Sequence, residues 1–271
     1  MEQYLAAKDR DELRFRAPEA FNDVIRETAA ALGATLVDVQ GALVAVSHHR
    51  IIGGDLMLEH VHPNVEGYFR LASAYFPAIV RGMGRPAVTV DDSTARRELP
   101  VTEVDRLGGE YRVATLMNDW PFVAERQPTK LPAPANPFEE IAQSWVAGRL
   151  NWAEAMTRAL AAHQQLGSDT EAARVAVNLA DAFVTDAAAQ SSAGRFLLKA
   201  NEPERALHYL RRAIALDGTK VDYRLSLAQS QFMLGSVDES IATLEAILAQ
   251  YPDDARATFW LEEMRRAAAS R

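Results

Sequence analysis

AAAQSSAGRFLLKANEPERALHYLRRAIALDGTK, residues Ala187–Lys220, is followed without a gap by VDYRLSLAQSQFMLGSVDESIATLEAILAQYPDD, residues 221–254. Laid one over the other, so that Ala187 meets Val221, the two stretches agree in kind along their length. Small residues coincide at Gly194 and Ala228 and again at Ala206 and Ser240; Leu210 meets Leu244, and Ala213 meets Ile247. A fixed period of about 34 residues is the mark of one supersecondary unit stacked on its own copy. Each unit reads as two amphipathic helices, and the small residues at its eighth and twentieth places let those helices approach closely while larger residues fill the rest of the core.

Working outward, Ala193, Gly194, Ala206, Leu210 and Ala213 in the first unit, and Leu227, Ala228, Gly235, Ser240, Leu244, Ile247 and Pro252 in the second, resemble the pattern of the tetratricopeptide repeat. That resemblance implies an all-α array over 137–271, clearest in 187–220 and 221–254, with a capping helix over 255–271. It also implies a concave face that takes a peptide or protein partner. NWAEAMTRALAAH, residues 151–163, resembles the second helix of an earlier, degenerate unit, with Ala155 and Ala162 in the small places. Trp145, Trp152 and Trp260 read as packing residues, any exposed one of which could serve as a binding anchor, and His163 and His208 as surface or interhelical residues.

The character is different upstream. PEAFNDVIRETAAALGA puts Phe21, Val24, Ile25 and Ala29 on one helical face and closes at Gly33. The short apolar run Leu36–Val39 suits a strand buried on both faces of a sheet. GALVAVS, residues 41–47, fits a second strand or a short helix. Helical spacing resumes through Tyr68, Leu71, Ala72, Tyr75 and Ile79, so residues 1–90 read as an α/β domain. The region 91–136 reads as a linker, with a helix near Val101–Leu116 and then a proline-rich connector.

Between these elements lies LEHVHPNVEGY, residues Leu58–Tyr68. A carboxylate three residues ahead of a histidine on a tight turn can accept from one imidazole nitrogen, fix the tautomer and steady the imidazolium formed when the other nitrogen takes a proton. The order Glu59-x-x-His62-Pro63-Asn64-x-x-Gly67-Tyr68 resembles the last motif of the SGNH, or GDSL-like, hydrolases, in which an aspartate usually stands where Glu59 does. The resemblance covers about Leu13–Arg81. It implies the end of a three-layer α/β/α domain acting on ester bonds, with His62 as general base and Glu59 as its orienting acid. The Pro63, Asn64, Gly67 and Tyr68 positions would support the loop.

The rest of such an enzyme is not found. Gly54-Asp55 is followed by Leu56 rather than serine, and Asn22 and Asn118 lack the expected glycine context. The resemblance therefore implies the C-terminal portion of a longer hydrolase, inactive alone, with an ester substrate only if the upstream part is present. Loss of a triad serine costs on the order of 10⁶ in turnover. A lone strand also lacks partners for its backbone groups, so the first 90 residues are expected to be poorly stable by themselves.

His48, His49, His60 and His62 with Asp55 and Glu59 raise a metal site as another possibility, but the spacing contains no HExxH and does not put the pairs on one helical face; the expectation is no metal and no cofactor. Thirty-seven Asp and Glu against 29 Lys and Arg give a net charge of -8, which disfavours nonspecific attraction to nucleic acid or an anionic membrane. No cysteine is present, so disulfides and thiolate chemistry are excluded. The opening residues are too charged for a signal peptide, and no apolar run approaches a membrane span. Composition does not fix the compartment.

Overall fold

The computed structural model describes residues 2–10, 17–59 and 61–269. The start of the hydrolase-like stretch, Leu13–Arg16, and His60 lie outside the described residues. Among the described residues fourteen α-helices follow one another: α1 Glu2–Asp9, α2 Glu19–Leu32, α3 Val39–Val46, α4 Val65–Gly82, α5 Asp92–Arg97, α6 Glu103–Leu116, α7 Pro137–Val146, α8 Trp152–Gln165, α9 Asp169–Ala182, α10 Ala187–Lys199, α11 Pro203–Leu216, α12 Val221–Met233, α13 Val237–Gln250 and α14 Ala255–Ala269. The chain divides into two compact units, 1–99 with 113–129, and 100–112 with 130–271.

The α/β expectation for the first unit is overturned. Among the described residues there is no β-strand, only an isolated antiparallel bridge between Met57 and Pro63. Residues 34–38 form no strand, and the backbone turns helical at Val39, where the Asp38 side chain caps α3 by accepting from the Gly41 amide. GALVAV, residues 41–46, is therefore helix. A strand is a ladder of shared backbone hydrogen bonds, and an apolar run without a neighbouring strand has none to share. The helices upstream of Arg85 do form as expected: Gly33 closes α2 in the left-handed conformation at φ 64°, and Asn64 caps α4 by accepting from the Gly67 amide. Their burial is slight. Among the described apolar side chains of this unit only Leu43, Leu56, Phe69 and Val80 are buried, and α2 buries none.

The second unit is a stack of helical hairpins. Its first core joins Val104, Leu107 and Tyr111 of α6 to Phe138 and Ile141 of α7 and Met156 of α8. The second runs through α9, α10 and α11, and the third through α12, α13 and α14. The helix starts are written in the sequence: Asn136 caps α7 ahead of Pro137, Asn151 and Glu154 form a reciprocal capping box on α8, Asp186 caps α10, and Pro203 opens α11.

Every residue placed in a small slot of the two clear repeats is buried, and Ser240 Oγ donates to the Ala228 carbonyl at 2.7 Å, tying the two helices of that hairpin through their small positions. At Gly194 the approach is close enough that an added Cβ would stand 2.5 Å from Leu210 Cγ.

The tight turns inside the hairpins need a left-handed residue, and these fall at Gly167, Asn201 and Gly235, each one repeat period from the next, with φ of 67°, 60° and 81°. This corrects the reading of residues 151–163. The α8 helix is the first of a hairpin with α9, not the second of an earlier one, and Ala172 of α9 occupies the place one repeat period before Ala206.

One buried titratable group stands out in this core. His163 on α8 is 4% exposed, its ring stacks on Phe138 at 4.3 Å between centroids, and among the described residues its Nδ1 has no hydrogen-bond partner. Burial holds its pKa below the usual histidine value, against an opposing pull from Glu171 and Glu103. The unfolded chain then binds the extra proton more readily, so the neutral ring's contribution is present above about pH 6.5 and is lost as the pH falls through that value. The melting midpoint should drop between pH 7.5 and pH 5.5, on a scale of about 2–4 °C per kcal/mol for a chain of this size. His163→Leu should flatten that drop. An equal drop in the variant would contradict the assignment.

Candidate functional site

Two places on the molecule have the geometry of a site. The first is the loop that leads into α4. Glu59 Oε1 accepts from the His62 amide at 2.8 Å, Oε2 accepts from the Val61 amide at 3.0 Å, and Oε1 also meets His62 Nδ1 in a short contact. The carboxylate side chain is 2% exposed while the imidazole is 64% exposed. An acceptor-only group on Nδ1 selects the tautomer protonated there and leaves the Nε2 lone pair facing outward.

The remaining motif residues hold this turn in place. Pro63 pairs with Met57 in the isolated bridge, flanked by Leu58 N–H donating to the His62 carbonyl at 2.8 Å and Asn64 N–H donating to the Leu56 carbonyl at 2.9 Å. Asn64 Nδ2 reaches the Gly54 and Asp55 carbonyls. Gly67 is buried because its α-carbon lies directly under Leu56; a Cβ there would fall 2.1 Å from the Leu56 carbonyl oxygen. Tyr68 points outward and is exposed. Glu66 turns to the other side of α4, where Arg96 and Arg70 hold its carboxyl below the usual carboxylate range.

The structure thus brings Glu59, His62, Pro63, Asn64 and Gly67 together and leaves the other histidines apart. His48 and His49 sit in a single 3₁₀ turn with their rings 3.9 Å apart, and Asp55 accepts from the His48 amide. Among the described residues no three His, Asp or Glu side chains converge on a point that would hold a metal ion.

The second place is in the helical array. Between α8 and α10, the first helices of neighbouring hairpins, small side chains leave an open slot of about 300 Å³. Ala153 and Thr157 line it from α8, Ala188 and Ser192 from α10, and Leu179 of α9 with the following Phe183 completes the lining. Ala188 begins a stripe at helical spacing along α10 that continues through Ser192, Arg195 and Lys199. The matching stripe on α12 carries Asp222, Ser226, Gln229 and Met233, and Arg256 of α14 engages Asp222 from the following hairpin position. Sequence reasoning named the face but not the slot, which exists only where three helices meet.

With the stacked hairpins and their evenly spaced turns described, comparison with known proteins gives a definite answer for this part of the chain. The model of the tetratricopeptide repeat family matches residues 197–258. The C-terminal half carries tetratricopeptide repeats. Among solved structures, the second tetratricopeptide repeat domain of the human RPAP3 protein, in complex with the HSP70 peptide SGPTIEEVD, is similar at 19% identity. The similarity covers 41% of this chain and 92% of that one, with a TM-score of 0.38. No curated protein matches the chain as a whole or in part. The family match lies wholly outside the stretch 59–68 whose order resembles a hydrolase motif. No described helix is long and apolar enough to cross a membrane.

Proposed function

We propose that this protein is a scaffold, whose tetratricopeptide repeats hold a peptide segment of a partner protein along the face shared by α8, α10 and α12. The observation that supports this is the slot between α8 and α10. Small side chains of α8 and α10 line an opening whose other lining residues include the apolar Leu179 and Phe183, and a concave, partly apolar opening is where a side chain of a bound segment can be covered. The test is selection of random 12-residue peptides on the full-length chain, followed by binding to Ser192→Trp and Gln229→Trp. Enriched peptides should bind each variant at least tenfold more weakly. Peptides that bind both variants as well as the parent would defeat the proposal.

A second reading rests on the Glu59–His62 pair. A buried carboxylate steering an exposed imidazole is the arrangement that a general base requires, and its Nε2 would take the proton from a serine supplied by residues outside this chain. Pro63, Asn64 and Gly67 would act as positioning residues and Tyr68 would flank the site. The chain alone should turn over a small aryl ester no faster than free imidazole does. In any longer form of the protein that does hydrolyse such an ester, activity surviving His62→Ala would remove this assignment.

A further inference from the structure

We infer that two copies of this chain associate reversibly by pairing their α4 helices antiparallel along the outer face of Val65–Gly82. The inference concerns the first compact unit and does not depend on how the repeats hold a peptide.

A helix that only docks on its own unit needs one apolar stripe and is polar elsewhere. The α4 helix has two. One is covered within its unit, where Gly67, Phe69 and Val80 are buried. The other runs through Val65, Tyr68, Ala72, Tyr75, Ile79 and Gly82, at spacings that alternate between three and four residues, and every one of these positions is exposed. That alternation keeps a single seam turned toward a partner helix over the whole of α4, about 27 Å for its 18 residues.

The seam fits a second copy of itself. With two such helices antiparallel and the two-fold axis passing between Ser73 and Ala74, Val65 falls opposite Gly82, Tyr68 opposite Ile79 and Ala72 opposite Tyr75. Each aromatic or branched side chain next to a small one has room, and none of the six positions is charged, so the symmetry forces no like charges together. The area agrees with a reversible pair. Tyr68 is 59% exposed, Tyr75 47% and Ile79 56%, and Phe76 and Met83 flank the seam, also exposed. At about 150–250 Å² for a whole aromatic side chain the stripe presents on the order of 450 Å² per copy, or roughly 900 Å² for two, which is the size of weak, transient complexes rather than obligate ones. A lipid surface is a poorer cover, because the chain's net charge of -8 opposes an anionic membrane. Pairing would give one particle two repeat arrays, and with them avidity for a partner that carries two bound segments.

Sedimentation of the full-length chain should give a mass that rises with concentration from 29.8 kDa toward twice that value over about 1–300 µM, where an interface of this size associates. Tyr75→Glu changes an exposed side chain, so it should keep the helical circular dichroism while weakening association at least tenfold. The chain has no cysteine, so a single introduced thiol reports the register. Under mild oxidation Ala72→Cys, close to the axis, should form a disulfide-linked pair at least tenfold faster than Gly82→Cys, whose two copies would stand about 25 Å apart along the helices. A chain that stays at 29.8 kDa throughout, leaving the face to a different protein, would overturn the inference. So would an association that Tyr75→Glu leaves intact, as contact through the exposed Phe21, Val24 and Ile25 of α2 would be, or Gly82→Cys linking as fast as Ala72→Cys. The peptide selection on the repeats is read separately, and none of these outcomes alters it.

Discussion

Leu210→Ala is expected to lower the stability of the repeat array by about 3 kcal/mol, within the range of about 2–5 kcal/mol seen when a buried leucine is truncated. Leu210 is fully buried in the core shared by α9, α10 and α11, and its branch point lies directly against Gly194 on the first helix of its own hairpin. The cavity cannot close easily, because Ala206 and Ala213 beside it on α11 are already small. The close contact makes a second, sharper expectation. Gly194→Ala alone should be destabilising, since its Cβ would stand 2.5 Å from Leu210 Cγ and 2.6 Å from Cδ2 of a side chain with nowhere to go. In the Leu210→Ala background the same change meets no obstacle and gains the helix propensity of alanine over glycine, about 1 kcal/mol. Urea unfolding of the four proteins, followed by helical circular dichroism, should therefore give a double variant more stable than Leu210→Ala alone. Additive losses would show that the two residues do not touch.

Gly67→Ala should undo the loop that carries Glu59 and His62. The added methyl would lie 2.1 Å from a backbone oxygen, that of Leu56, and 2.9 Å from Pro63 Cβ, so relief requires the loop to lift from α4 rather than a side chain to rotate. Lifting breaks the Asn64 N–H to Leu56 bond and with it the neighbouring bond between Leu58 and His62. Hydrogen exchange at the Leu58 and Asn64 amides should accelerate by at least tenfold, while unfolding of residues 137–271 is unchanged. Asn64→Ala is a milder control: it removes the cap of α4, worth about 1 kcal/mol, and the two bonds to Gly54 and Asp55, without pushing the loop away. Unaltered protection in Gly67→Ala would mean that the close approach is not what holds the turn.

Both expectations bear on what can be read without coordinates. The repeat period was legible because it is a packing rule repeated locally: Gly194 and Ala206, or Ala228 and Ser240, are small because two helices joined by a short turn must touch there. A further local signal lies upstream. Gly167 stands one repeat period before Asn201 and would have put residues 151–163 in the first helix of a hairpin. Leu36–Val39 misled for the opposite reason. An apolar run states that a segment prefers burial, but whether it becomes a strand depends on backbone partners elsewhere, and the described residues offer it none.

What the amino-acid order determined by itself is therefore whatever operates across a few residues or one repeat: helix starts and stops, the stacking period, and the meeting of Glu59 with His62 three residues apart on one turn. Only the tertiary structure decided that Leu36–Val39 forms no strand, that His163 is buried without a hydrogen-bond partner on Nδ1 among the described residues, and that a slot opens between α8 and α10 beside Phe183. Each of those depends on groups distant in the chain arriving, or failing to arrive, at the same place, and local periodicity carries no information about that encounter.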